Sequence, residues 1–167
     1  MSDENGIQVA TGKLGRVVVM RFPPDTEILT AIEDIAIKEG IRSGIIVGGA
    51  ASLTVATLRN VRTYPDEFPI TDDVRIFSRH DGPLELLSIS GNISEIDDSN
   101  LRVHCHGVIS VGTPDAVAYG GHLVPDLKVF STAELAIAEV EGVHMGRVFN
   151  DQTQTLELHP EETDTEV

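Results

Sequence analysis

The sequence has little cysteine and few aromatic residues, and these two shortages exclude an internal disulfide and an aromatic core. A single cysteine, Cys105, in 167 residues rules out an internal disulfide. Aromatic residues make up 4% of the chain and tryptophan is absent, so the core must be built from aliphatic side chains. No apolar run approaches the roughly 20 residues that span a bilayer. Because no secretory leader pattern opens the chain either, we expect a soluble, cytoplasmic protein without membrane contacts.

Basic residues are also scarce. Twelve Lys and Arg stand against 27 Asp and Glu, which gives a formal net charge of −15. Nonspecific affinity for nucleic acid comes mainly from basic side chains that replace the counterions condensed on the phosphates. The charge therefore disfavours DNA as a partner and indicates an acidic, well-solvated surface.

The sequence contains many short β-branched segments and one clear helical pattern. Asp25 follows two prolines and is predicted to cap a helix, whose apolar positions recur at helical spacing from Ile28 to Ala36. Gly40 stands where a helix-terminating glycine belongs. The segments with strand character are separated by Gly, Pro, Asn or Asp, and they cover residues 15–22, 41–51, 53–58, 74–78, 84–93, 101–111, 117–123, 127–130, 132–140, 146–149 and 155–158.

Because some adjacent segments run on into each other, the eleven segments amount to about eight strands. One helix beside about eight strands predicts an α+β fold, with the helix packed on one face of a mainly antiparallel sheet. The length fits a single domain, which we place at residues 13–158. Residues 1–12 and the acidic tail at 159–167 are polar and lack periodicity, so we expect both to be disordered.

Two histidines occur in the pattern His-x-His within a predicted strand. Side chains at positions i and i+2 of a strand share a face, so His104 and His106 point the same way and Cys105 points to the opposite face. His122 follows Gly120 and Gly121 near the start of the next strand segment. Because adjacent strands lie about 4.8 Å apart, His122 can join the pair to form a three-histidine metal site. Zinc suits three imidazoles best, with iron, nickel or copper as alternatives.

Further residues are candidates for the same site. Arg102 shares the face of His104 and His106 and can pair equally with an anionic ligand or with Glu134. Gly120 and Gly121 would let a ligand or another backbone approach closely. Glu134 interrupts a largely apolar strand, so its carboxylate is a candidate to hydrogen-bond a metal ligand or to act as a catalytic acid/base near the metal, with a solvent-facing residue as the equal alternative. For His80, His144 and His159 we expect solvated or structural roles, and for Cys105 a place in the core.

Four stretches of the chain, residues 82–93, 103–106, 120–123 and 132–135, resemble the plants-and-prokaryotes-conserved domain family. The resemblance extends from about Gly15 to Leu158 and implies a homotrimer. In prokaryotic members it also implies a metal site on the histidines that match His104, His106 and His122. One departure is Pro125-Asp126, where relatives often have glycine, which leaves the shape of that loop open.

The resemblance leaves several functions open. Plant relatives carry the domain behind basic hooks that bind the DNA minor groove, and prokaryotic members are provisionally labelled DNA-binding, but no such hook is present here. The domain is also similar in architecture to acetolactate decarboxylase, a zinc lyase, which implies by analogy an enzyme acting on a small carboxylic acid. The hypotheses to test are therefore a metal-binding trimer of unproven activity, an oligomeric regulator, a metal-dependent enzyme, and a scaffold domain whose histidines bind no metal.

Overall fold

The computed structural model describes residues 6–98 and 100–163. Within these residues the chain forms one α-helix, one 3-10 turn and seven strands. The elements are β1 (Lys13–Phe22), α1 (Ile28–Glu39), β2 (Gly44–Val61), the 3-10 turn (Asp72–Val74), β3 (Arg75–Glu95), β4 (Leu101–Val111), β5 (Ala118–Glu141), β6 (Val143–Asn150) and β7 (Thr155–Glu162).

The strands form one sheet in the order β1-β5-β2-β3-β6-β7, and β4 pairs with both β3 and β5. Since β2 also pairs with β3 and with β5, the four strands β2 to β5 close a ring of hydrogen-bonded neighbours. All strand pairs are antiparallel except the short contact of β3 with β6. The predicted α+β class and mainly antiparallel sheet are confirmed, and the helix packs against β4 and β5.

The prediction of about eight shorter strands is wrong. Predicted segments fuse into long strands because bulges carry the chain through residues that sequence rules treat as breakers. Around Pro125 and Asp126, for example, Val124 pairs with Thr57 and Lys128 with Val55, so three residues of β5 oppose one of β2. Asp126 takes a φ of 82° in that bulge, and the strand continues on either side.

The helix begins later than predicted. Asp25 has a φ of 66° and its N–H donates to the Val129 carbonyl at 3.0 Å, so it lies outside the helix. Glu27 is the N-cap instead, and its carboxylate accepts from the Thr30 N–H at 2.8 Å. Gly40 ends the helix as predicted: its φ of 71° is in the left-handed region that glycine adopts without strain.

The core is aliphatic, as the scarcity of aromatic residues predicts. It fills the space between the helix and the ring of strands, and burying such side chains contributes about 25 cal/mol per Å² of apolar surface removed from water. Its largest fully buried members are Ile28, Ile32, Ile41, Leu53, Leu58, Leu84, Leu86, Ile93, Ile109, Leu127, Leu135 and Ile137. No helix in the described part of the chain has the length and apolar character needed to cross a membrane.

The ends of the domain also differ from the sequence prediction. Strand β7 continues to Glu162, so His159 to Glu162 are paired with β6 and are not a disordered tail. The Thr11 N–H donates to the Glu162 carboxylate at 3.1 Å, which ties the segment before β1 to the end of β7. Residues 1–5 and 164–167 of the predicted disordered ends lie outside the described residues.

Candidate metal centre

Strand β4 presents its two histidines on one face, as the alternation of a strand requires. Cys105, between them, is fully buried in the core, and burial raises the pKa of its thiol to about 12. His104 is half-buried and His106 is exposed on the opposite face. Core packing of Cys105 therefore fixes the direction in which both imidazoles point.

The third histidine comes from β5. His122 is the Cα partner of His106 across the β4–β5 pair, so the two rings lie side by side on neighbouring strands. Ring centroids are 4.9 Å apart for His106 and His122, 4.8 Å for His104 and His122, and 5.4 Å for His104 and His106. One ring nitrogen from each histidine lies within 4.8 Å of the other two. The structure thus brings the three predicted residues together.

Burial and nearby arginines keep two of these rings neutral at physiological pH. Desolvation, with a smaller contribution from the positive charge of Arg147, lowers the pKa of His104 to about 4. Desolvation, followed by the charge of Arg59, lowers the pKa of His122 to about 3. A neutral imidazole offers a lone pair to a metal ion, whereas an imidazolium does not.

A polar network that the sequence did not predict adjoins His104. Arg147 of β6 donates from Nε to Ser94 Oγ at 2.9 Å and from Nη2 to Asn92 Oδ1 at 3.0 Å. Its Nη2 also lies 3.4 Å from His104 Nδ1. Since a guanidinium only donates, this contact uses the Nδ1 lone pair, leaves the proton of the neutral ring on Nε2 and disfavours a second proton. Binding of a metal by His104 therefore requires this 3.4 Å contact to give way, so that one ring nitrogen offers its lone pair to the ion.

Gly121 makes room for a side chain of the protein. A Cβ at this position would lie 2.7 Å from Asn60 Nδ2, and the Asn60 amide donates to the Gly120 carbonyl at 3.2 Å. Asn60 itself lines a pocket of about 270 Å³ beside the three histidines. Asn60 thus occupies the space that Gly121 leaves, and Asn60, not either glycine, lines the pocket. The predicted contact of Gly120 and Gly121 with a ligand stays a prediction.

Arginines surround the histidines on the side facing β6 and β7. An adjoining pocket of about 180 Å³ is lined by His104 and His122 and by Arg59, Arg75, Arg102 and Arg147. Arg102 is thus placed beside the site, as its shared strand face predicts. The other three come from β2, β3 and β6, and nothing in the local sequence pattern connects them to the histidines.

Glu134 does not join the site within one chain. It is exposed on β5, opposite Arg21 of β1 and Ala50 of β2, and it lines neither of the two pockets. His122 pairs with Arg59, so the two β5 positions are separated by the length of β2 between Ala50 and Arg59. At about 3.3 Å per residue this is roughly 30 Å of strand. Its placement favours the solvent-facing alternative.

The other histidines lie apart from the cluster. His80 stacks on Tyr119 with ring centroids 4.6 Å apart, and His159 Nε2 lies 3.4 Å from a Glu161 carboxylate oxygen. His144 is half-buried on β6. Within the described residues, His104, His106 and His122 are the one group of three or more potential ligands in mutual reach.

Comparison with known proteins identifies the family. The model of the Plants and Prokaryotes Conserved (PCC) domain matches residues 9–141. The chain belongs to this family. A curated relative, the bifunctional protein GlmU of Synechococcus sp. (strain JA-3-3Ab), is 30% identical over 151 residues, which cover 90% of this chain and 21% of the relative. The PCC chain therefore spans about a fifth of the curated relatives that it matches.

Solved structures share the fold of this PCC domain. A plant- and prokaryote-conserved protein from Pyrococcus horikoshii has a TM-score of 0.71 at 27% identity, covering 95% of this chain and 99% of that one. A metal-containing protein from Archaeoglobus fulgidus has a TM-score of 0.73 at 22% identity, with 91% and 99% covered. Neighbours from Bacteroides thetaiotaomicron and Ralstonia eutropha are described provisionally as DNA-binding.

Proposed function

We propose that this PCC-domain chain binds one divalent metal ion through His104, His106 and His122, and that zinc is the ion it takes. The observation that carries the proposal is the mutual reach of three imidazole nitrogens, all within 4.8 Å. Two nitrogens bound to tetrahedral zinc at about 2.0–2.1 Å are about 3.4 Å apart, so small side-chain rotations bring the rings to binding distance.

Two further features support the same proposal. His104 and His122 are neutral at pH 7, because burial and the surrounding arginines lower their pKa values, so no proton has to be displaced from an imidazolium. Three protein ligands leave a coordination position open, and the pocket of about 270 Å³ lies beside it. The related fold from Archaeoglobus fulgidus is a metal-containing protein.

Metal analysis of protein purified without a histidine tag or chelator tests this proposal. We expect about one equivalent of ion per chain, and an anomalous-difference map at the zinc edge should place one peak between the three rings. Protein that takes up no zinc, nickel, copper or iron after incubation with each ion would contradict the proposal.

We also propose that the chain assembles into a homotrimer. Apolar side chains are exposed on strands that flank β5, including Val17 (56% exposed) and Val19 (79%) on β1 and Val47 (59%) on β2. Exposed apolar side chains on strands that flank the same neighbour are typical of an interface. Light scattering after size-exclusion chromatography should give three times the chain mass. Val19→Lys should lower the measured mass, because it places a charge in the interface. A monomer at every protein concentration would refute the trimer.

Direct DNA binding is the competing regulatory hypothesis, and the neighbours described provisionally as DNA-binding are its support. The net charge of −15 opposes it. A gel-shift titration distinguishes the two, because an authentic complex must weaken steeply as salt rises. No shift at physiological salt is the result we expect.

A second candidate is a metal-dependent enzyme acting on a small carboxylic acid, and the open pocket beside the histidines favours it. A bound divalent ion would supply Lewis-acid polarisation of a substrate oxygen. A screen of 2-oxo and 2-hydroxy acids with metal-loaded protein tests for turnover, and no turnover of any member would remove this candidate.

A further inference from the structure

The chain has few positive charges, yet it gathers several of them at one place. Arg59, Arg75, Arg102 and Arg147 line a single pocket and are four of only nine arginines in a protein of net charge −15. They come from β2, β3, β4 and β6, so the whole sheet is needed to bring them together. A solvated surface would spread these charges apart, because like charges repel.

Three of these guanidinium groups have no carboxylate partner. Within residues 6–98 and 100–163, Arg59, Arg102 and Arg147 form no ion pair, and only Arg75 does, with Asp72 at 2.9 Å. Glu157, which lies near Arg147, instead accepts from Asn150 at 2.8 Å and from Thr153 at 2.6 Å. The carboxylates of Asp72 and Glu157 offset part of the charge of the four arginines, so the cluster keeps a net positive charge.

The arginines also act on one another. Desolvation lowers the pKa of Arg147, and the positive charge of Arg102 lowers it further. Desolvation also lowers the pKa of Arg59, followed by the charges of Arg75 and Arg102. Bringing these cations together in a half-buried pocket costs free energy that an anion would offset.

We propose that this arginine pocket binds the carboxylate or phosphate group of a small molecule. Guanidinium groups match both oxyanions because their planar N–H donors can bind two oxygens at once. The volume of about 180 Å³ fits a small acid, and the single pocket does not form the extended basic strip that a nucleic-acid backbone follows.

The pocket shares His104 and His122 with the histidine site, so an acid held by the arginines has its other end directed toward the three imidazoles. This second part rests on the proposed metal site, whereas the arginine pocket stands without it. The molecule would then carry an oxyanion at one end and an oxygen donor, such as a hydroxyl or carbonyl, at the other.

Calorimetric titration of the full chain with malonate and, separately, with inorganic phosphate tests the pocket. In metal-free protein, Arg59→Gln and Arg102→Gln should each weaken binding of the preferred anion by about 10-fold, equivalent to about 1.4 kcal/mol. Arg21→Gln is the matched control, since Arg21 is exposed on β1, lies outside both pockets and changes the net charge equally. The anion affinity of Arg21→Gln should match that of the unaltered protein. Comparing malonate with inorganic phosphate shows whether the pocket prefers a carboxylate or a phosphate.

Zinc content, measured on separate preparations of the same variants that have not been stripped of metal, separates this proposal from the metal proposal. We expect the two arginine variants to keep their zinc and lose anion affinity. Arginine-dependent anion binding in a protein that takes no metal would support the pocket and refute the metal site. The pocket proposal would be overturned if the unaltered protein and the three variants bound the anions with equal affinity, or if none of them bound either anion. It would also be overturned if the protein bound an oligonucleotide but neither small anion.

Discussion

His106 and His122 are directly opposed Cα partners on β4 and β5, with ring centroids 4.9 Å apart and ring planes inclined by 81°. Paired positions on adjacent strands hold their side chains at a fixed spacing, because the backbone hydrogen bonds set the distance between the strands. The pair therefore places two imidazole rings side by side on neighbouring strands, and His104 adds a third from the same face of β4.

Replacing one member of this pair should abolish tight metal binding. We expect His122→Gln to weaken zinc affinity by more than about 100-fold, since losing a direct ligand costs more than losing a supporting contact. Competition against a chromophoric chelator measures the affinity. His159→Gln, which removes a histidine outside the cluster, is the control, and equal affinity in both variants would count against the site.

The metal-free protein should become less stable as the pH falls below about 6.5. His104 and His122 stay neutral in the folded chain down to about pH 4 and about pH 3. In the unfolded chain the same two histidines are protonated near pH 6.5. Below that pH the unfolded state therefore binds more protons than the folded state, and its free energy falls relative to that of the folded state.

Urea denaturation at about pH 7 and about pH 5 measures this loss. The double variant His104→Gln/His122→Gln should lose less free energy of unfolding between the two pH values than the unaltered chain does. An unchanged difference would mean that the two rings are not held neutral by folding.

Arg147 should control both stability and the protonation of His104. Arg147→Met removes the hydrogen bond to the fully buried Ser94, so the free energy of unfolding should fall by about 1–3 kcal/mol. Removing its positive charge should also raise the pKa of His104.

An NMR titration of the imidazole protons reads the His104 pKa directly in metal-free protein. Arg21→Met removes an equal charge from β1 and should leave that pKa unchanged. A His104 pKa that did not move in Arg147→Met would show that the 3.4 Å contact has no electrostatic effect.

Gly91 on β3 should tolerate no side chain, because β4 passes directly over it. A Cβ at this position would lie 2.1 Å from the His104 carbonyl oxygen and 2.6 Å from Cys105 Cα, and both are backbone atoms. We expect Gly91→Ala to cost about 3 kcal/mol, the upper end of the range for overpacking, and to weaken zinc binding by displacing β4.

Gly120→Ala is the matched control, since its Cβ would meet the nearest atoms at 3.4 and 3.5 Å, an ordinary contact. It should change stability by less than about 1 kcal/mol. Denaturant midpoints of the two variants give the comparison, and equal stabilities would mean that β3 and β4 can separate at Gly91 without cost.

Local periodicity in the sequence was sufficient to predict part of the fold and part of the histidine site. The two-residue repeat of a strand puts His104 and His106 on one face and Cys105 on the other, and the core packs against the face that carries Cys105. The same logic identifies the apolar helix face and Gly40 as its end. These features depend only on neighbours in the chain, which is why the sequence alone predicts them.

The sequence did not determine the strand boundaries or the residues around the histidines. Bulges join predicted segments into β2, β3 and β5, and they set which residues of distant strands lie opposite each other. Arg59, Arg75 and Arg147 are separated from His104 by tens of residues, and no periodicity connects them. The only indication of a basic site in the sequence was that an otherwise acidic chain contains nine arginines.

What the sequence by itself determined was therefore the chemistry of the candidate ligands and the face of β4 on which two of them lie. The tertiary structure alone decided that His122 sits opposite His106, that Glu134 lies far along β5, and that Arg147 contacts His104. The reason is that side-chain direction along a strand follows from covalent geometry, whereas the register between strands follows from the packing of the whole core.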